Sequence, residues 1–113
     1  MEIKSVVTAL AALAQDSRLA VFRLLVQTGP DGLSAGRISE ALGIAPSSLS
    51  FHLKELAHAG LIRSRQESRY VIYSANFQAM NELIGFLTEN CCSGASCTTS
   101  TPIQCASDKE TRE

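Results

Sequence analysis

The chain has 113 residues, 45% of them hydrophobic and 19% charged, with a formal net charge of −1 at pH 7. That length suits one compact domain, and so small a domain leaves much apolar surface uncovered unless it dimerises or is stapled. The balanced charge gives no whole-chain reason to expect nucleic acid. The longest apolar runs, around VVTALAALA and LAVFRLLV, fall short of the roughly 20 residues of a spanning helix, so a soluble protein with no membrane partner is expected.

Met1 to Asp16 opens with mixed charges and has no basic stretch leading to a cleavage site. A cytoplasmic, reducing setting follows as the expectation, and it argues against a disulfide framework for the four cysteines. The cations are unevenly placed. Between Arg37 and Tyr73 the five basic residues Arg37, Lys54, Arg63, Arg65 and Arg69 outnumber the three acids Glu40, Glu55 and Glu67, a local hint of an anionic partner.

In chain order, Ile3, Val6, Val7, Leu10 and Leu13 recur at helical spacing, and the intervening alanines add helix propensity and allow close approach of a partner helix. Asp16 is the expected N-cap of a second helix whose apolar positions Leu19, Phe22, Leu25 and Val26 run to the breaker TGPDG. Ser34 caps a short third helix with Ile38, Ala41 and Leu42, ended by Gly43. Pro46 suits the first turn of a fourth, whose core stripe is Leu49, Leu53 and Leu56 and whose stop is Gly60. Two short helices joined at GIA make a helix-turn-helix.

Beyond Gly60 the period changes. LIRSRQ and RYVIYSA are short β-prone runs flanking Glu67 and Ser68, which predicts a two-stranded hairpin, a wing. Ser74 or Asn76 caps a last helix with Phe77, Met80, Leu83, Ile84 and Leu87 on a wide apolar face, running to about Asn90. The fold class expected is therefore mainly α with a two-stranded β-wing, a winged helix-turn-helix. The first and last helices are more apolar than a three-helix core needs, and their surplus faces predict a homodimer. Residues 1–90 form the domain; residues 91–113, rich in Ser and Thr and without periodicity, read as a cysteine-containing flexible tail.

The stretches LAQDSRLAVFRLL, ISEALGIAPSSLSFHLKELAHAGLI and RSRQESRYVIYSA, which cover most of residues 13–75, resemble the ArsR/SmtB family of metalloregulatory repressors. The resemblance implies a winged-helix homodimer that leaves its operator DNA when it binds metal or metalloid ions. Many arsenic-responsive members carry a cysteine motif at the start of the DNA-binding helices, and the corresponding RISEALGI has none. Cys91, Cys92 and Cys97 instead look like the variant whose arsenite site is a cysteine pair at the end of the last helix plus a third cysteine shortly downstream.

On a wheel of about 100° per residue, Phe51 points away from the leucine stripe, beside Ser47, Lys54 and His58. In a helix-turn-helix this places Phe51 against thymine methyl groups, Ser47, Ser48 and Ser50 against base edges or phosphates, and Lys54 on a phosphate. Arg65, Gln66 and Arg69 flank the wing tip and are expected to hold backbone or enter the minor groove, with Arg37 touching phosphate from the preceding helix. His52 and His58 read as packing or solvent-facing residues.

Clustered thiols have three readings: metal or metalloid binding, redox sensing, or chance. Cys91 and Cys92 can chelate one ion, and the SGAS spacer is flexible enough to fold Cys97 onto it. Three thiolates suit As(III), the ligand set to which the resemblance points, and Sb(III) fits similarly. Zinc or cadmium needs a fourth ligand, which Cys105 can supply. No nucleophile and base fall together in any motif, so an enzyme is the least supported class.

Overall fold

The computed structural model describes residues 1–94; Cys97 and Cys105 lie outside them. Helix α1, Ile3–Leu13, divides its apolar residues between two faces. Val6, Ala9 and Ala12 are buried in the core, whereas Ile3, Val7 and Leu10 stay exposed. Small side chains on the inner face let α1 lie close against its neighbours.

Helix α2 spans Asp16–Thr28, and its N-cap is Gln15 rather than the expected Asp16: Gln15 Oε1 accepts from the Arg18 amide at 3.0 Å. Asp16 instead occupies the first turn, where a negative charge faces the positive end of the helix dipole. Val21, Phe22 and Leu25 are buried, and Leu19, expected in the stripe, is exposed. After Gly29 the chain reaches a two-residue strand β1, Leu33–Ser34, that was not expected.

Helix α3, Ala35–Leu42, begins as predicted, with Ser34 Oγ accepting from the Arg37 amide at 3.3 Å. It ends at Gly43, whose left-handed φ of 66° permits the tight corner. Ser39 Oγ donates to the Ile44 carbonyl at 2.6 Å and braces that corner. Helix α4, Pro46–His58, starts at Pro46 and buries Leu49, Leu53 and Leu56, again as the stripe predicts.

Strands β2, Ile62–Glu67, and β3, Tyr70–Ala75, form the antiparallel wing, turning through Ser68 and Arg69. The sheet has three strands in the order β1-β3-β2, because Leu33 and Ser34 pair with Tyr73 and Ile72. Two residues are too short to show alternation, which is why the third strand was illegible. Gly32 lets β1 approach: a Cβ there would collide with the Tyr73 carbonyl oxygen and come within 2.9 Å of Ile72 Cγ2.

Helix α5, Phe77–Thr88, is capped by Asn76, whose Oδ1 accepts from the Ala79 amide at 3.1 Å. The same side chain donates to the Gly60 carbonyl at 3.0 Å and so fixes the start of α5 to the end of α4. Met80 and Leu83 are buried and Leu87 is exposed. The helix stops at Thr88, before the expected Asn90, and Asn90 is already left-handed with φ 56°. A short turn, Cys91–Gly94, follows.

Leu25, Ile38, Leu49, Leu56 and Leu61 are the large, fully buried centre on which these helices meet. Leu56→Ala should cost about 3 kcal/mol, the usual penalty for a cavity left in a close-packed core. Urea unfolding at fixed protein concentration measures it, and a loss below about 1 kcal/mol would show that the site collapses around the gap. Among the described residues, no helix is long and apolar enough to cross a membrane.

Candidate nucleic-acid interface

The buried stripe of α4 fixes that helix's rotation, so its other side is set by elimination. Ser47, Ser48, Ser50, Phe51 and Lys54 are all exposed, as the wheel predicts. Phe51 keeps 55% of its surface in solvent, a large apolar residue left without cover in the protomer. Its ring stands edge-on to His52, with centroids 5.8 Å apart and planes at 63°.

His52 is half-buried, and its Nδ1 lies 3.5 Å from Arg18 Nη1. Arg18 Nε also donates to the Ala12 carbonyl at 2.6 Å, so one guanidinium from α2 joins the end of α1 to the exposed helix α4. The sequence reading missed Arg18. Helical periodicity reports which residues share a face of one helix and carries no signal that pairs residue 18 with residue 52.

Arg37 projects from the first turn of α3 and is exposed. It shares a cleft with Gly32, Ser34, Ile72 and Tyr70, and Tyr70, which sequence reasoning passed over, is 60% exposed at the base of the wing tip. Arg69 lies exposed in the turn itself, and Gln66 Nε2 donates to the Ser68 carbonyl at 3.4 Å. Arg65 is different. Its Nε bonds Glu67 Oε2 at 2.7 Å, its Nη2 donates to the Asp31 carbonyl at 2.8 Å, and its Nη1 reaches the Pro30 carbonyl at 3.4 Å.

Cys91 and Cys92 follow α5 rather than closing it, and both are exposed. Their sulfurs are 3.6 Å apart, and Cys92 is disulfide-bonded, contrary to the expectation of reduced thiols throughout. Consecutive side chains of an extended segment point to opposite sides, and the left-handed Cys92, φ 54°, turns the chain so that the two sulfurs converge. Among the described residues, no group of three or more His, Cys, Asp or Glu is placed to hold a metal ion. Of the three predicted ligands, then, two are brought together and the third, Cys97, lies beyond the described segment.

Comparison with known proteins agrees with this architecture. A helix-turn-helix domain model matches residues 13–65. The chain is 31% identical over 83 residues to the HTH-type transcriptional regulator YgaV of Escherichia coli, covering 74% of this chain and 82% of the relative. It is 36% identical over 81 residues to the transcriptional activator HlyU of Vibrio cholerae, covering 69% of this chain and 72% of that one. The HlyU structure superposes with a TM-score of 0.60 at 34% identity over 77% of this chain and 97% of HlyU, and a structure of reduced HlyU also matches. An ArsR-like transcriptional regulator from Rhodococcus shares the fold, with a TM-score of 0.67 at 24% identity over 74% of this chain and 76% of its own. These are regulators of transcription and not enzymes. The buried α4 stripe with its exposed outer face, the capped α3–α4 corner and the wing belong together, and the chain is a member of the ArsR family of winged helix-turn-helix transcriptional regulators.

Proposed function

We propose that this regulator is an arsenite-responsive repressor, a homodimer that binds operator DNA through α4 and the wing and releases it when As(III) is held by Cys91, Cys92 and Cys97. The observation that carries the reading is the pair of exposed sulfurs 3.6 Å apart immediately after α5. A tetrahedral zinc thiolate with bonds of about 2.3 Å spreads its sulfurs to about 3.8 Å, close to the spacing of this pair, and because Cys92 is disulfide-bonded, ion binding requires that bond to be reduced first. Arsenous acid, As(OH)₃, and three thiols give one As(SR)₃ and three waters, with no change in oxidation state. Antimonite fits the same set.

Homodimer formation is supported by Ile3, Val7 and Leu10 on α1 and Leu87 on α5, all exposed apolar side chains on the first and last helices. Two recognition helices must meet successive major grooves about 34 Å apart. An ion that orders the segment after α5 acts beside that interface, and if it favours a spacing unsuited to DNA, DNA must by linkage weaken its binding equally. The Vibrio relative is named an activator, so the sign of regulation is part of the proposal.

Fluorescence anisotropy of a labelled operator duplex under reducing conditions tests the reading. Release by arsenite supports it, while release by peroxide alone would assign the same cysteines to redox sensing. The second reading is favoured by the disulfide-bonded state of Cys92, one rung of the thiol oxidation ladder. Release by zinc or cadmium, with Cys105 required, would support the four-sulfur site.

On the DNA side, Lys54→Gln should lower the slope of log K against log salt by about 0.9 per protomer, one phosphate contact. Phe51→Ala should weaken binding without changing that slope, because contact with a thymine methyl group releases no counterion. Salt titrations of both variants measure the difference. Equal slopes for Lys54→Gln and the native protein would remove Lys54 from the interface.

A further inference from the structure

We infer that Arg65 does not contact DNA but positions the wing, by clamping it to the loop that enters β1. The residue was expected among the wing's DNA contacts on charge and location alone. Its bonds say otherwise. The guanidinium crosses the sheet from the edge strand β2 and, although 43% exposed, directs its donors to the protein's own surface acceptors, the carbonyls of Asp31 at 2.8 Å and Pro30 at 3.4 Å and Glu67 Oε2 at 2.7 Å.

The register explains how it reaches. Arg65 and Ser34 both lie opposite Ile72, so Ser34, Ile72 and Arg65 stand in one row on the same face of the three strands. Pro30 and Asp31 immediately precede β1, and Gly32 holds their loop against β3, where any side chain would strike the Tyr73 carbonyl oxygen. The loop is thus held at Gly32 by close approach and at Asp31 by the guanidinium. A two-stranded ribbon on its own is only marginally stable in water, and the clamp gives β2, the strand farthest from β1, a second attachment to the helical body.

Glu67 completes the device. It neutralises Arg65 at the wing, so the pair presents less positive charge to a phosphate than the sequence count suggests, and Arg69 in the turn is left as the exposed wing cation beyond it. Lysine cannot replace the guanidinium here, because a single ammonium lacks the planar fork that spans two carbonyls and a carboxylate at once.

That difference supplies the test, which rests on DNA binding and is independent of the arsenite proposal. Arg65→Lys and Arg65→Gln are compared with the native full-length chain on the duplex that the native protein enriches from a random-sequence pool. Both variants should lose affinity similarly, about three- to ten-fold, because retained charge does not restore the clamp. In an Arg69→Gln background either substitution should cost less than it does alone, since the wing contact it supports is already gone. Amide exchange at Asp31 and Gly32 should accelerate in both variants, a readout that needs no DNA and keeps the clamp testable if DNA binding itself fails. Near-native affinity for Arg65→Lys, beside an Arg65→Gln loss with a salt slope lowered by about 0.9 per protomer, would make Arg65 a direct phosphate contact and overturn the inference. Unchanged affinity in both variants, or unchanged exchange, would overturn it equally.

Discussion

Serine at Cys91, Cys92 or Cys97 is expected to leave a protein that binds DNA with native affinity and no longer releases it when arsenite is added. The turn carrying Cys91 and Cys92 is exposed and contributes nothing to the buried core, so under reducing conditions, with the Cys92 disulfide opened, its sulfurs can be exchanged for oxygen without loss of core packing. A hydroxyl is a hard, protonated donor and a poor substitute for a thiolate on a soft ion. Since losing even an outer-shell partner costs about 10- to 100-fold in metal affinity, losing a direct ligand should raise the arsenite needed for release by at least about 100-fold. Cys105→Ser is the counterpart and should respond nearly as the native chain does. A normal response from Cys97→Ser would sink the three-sulfur site, and an unresponsive Cys105→Ser would point to four sulfurs. X-ray absorption at the arsenic edge counts the sulfur neighbours directly.

The second large effect is expected at the exposed face of α1. Val7 keeps 59% of its surface in solvent between Ile3 at 66% and Leu10 at 41%, so Val7→Glu disturbs nothing within the protomer. In a dimer joined through this face, the substitution buries an unpaired carboxylate in each copy, at a cost of several kcal/mol each. The variant should run as a folded monomer by light scattering, with a native far-UV spectrum. Its DNA affinity should fall by roughly 10²- to 10⁴-fold, because two linked half-site contacts become one. A Val7→Glu protein that remains dimeric would move the interface elsewhere.

Most of the scaffold was legible because its signals are local. Ser34, Gly43, Pro46 and Asn76 mark helix ends by chemistry that acts within three or four residues, and the leucines at 49, 53 and 56 mark a face by spacing alone. The exposed position of Phe51 followed from that stripe. What escaped is what depends on contacts distant in sequence. The pairing of Leu33 with Tyr73, the reach of Arg65 to Asp31 and the meeting of Arg18 with His52 join segments more than thirty residues apart. The α2 cap was misplaced by one residue because Asp16 is the stronger capping type, while the backbone turned extended at Gln15. The end of α5 was set too late because Glu89 and Asn90 break no periodic pattern, and the left-handed Asn90 that diverts the chain is visible only in its torsion angle.

Arg18 has a mechanical consequence. By bonding the last turn of α1 and reaching His52 on α4, it helps weld the helix proposed to face the second subunit and the helix proposed to read DNA into one stiff body. No soft joint then lies between the two along this route. A rotation at the proposed subunit contact would then reach Phe51 and the serines around it, its displacement growing with distance from the pivot, as at the tip of a lever. The proposed signal beside α5 would then have no need to deform the reading head; tilting its mounting would suffice to take it out of the groove.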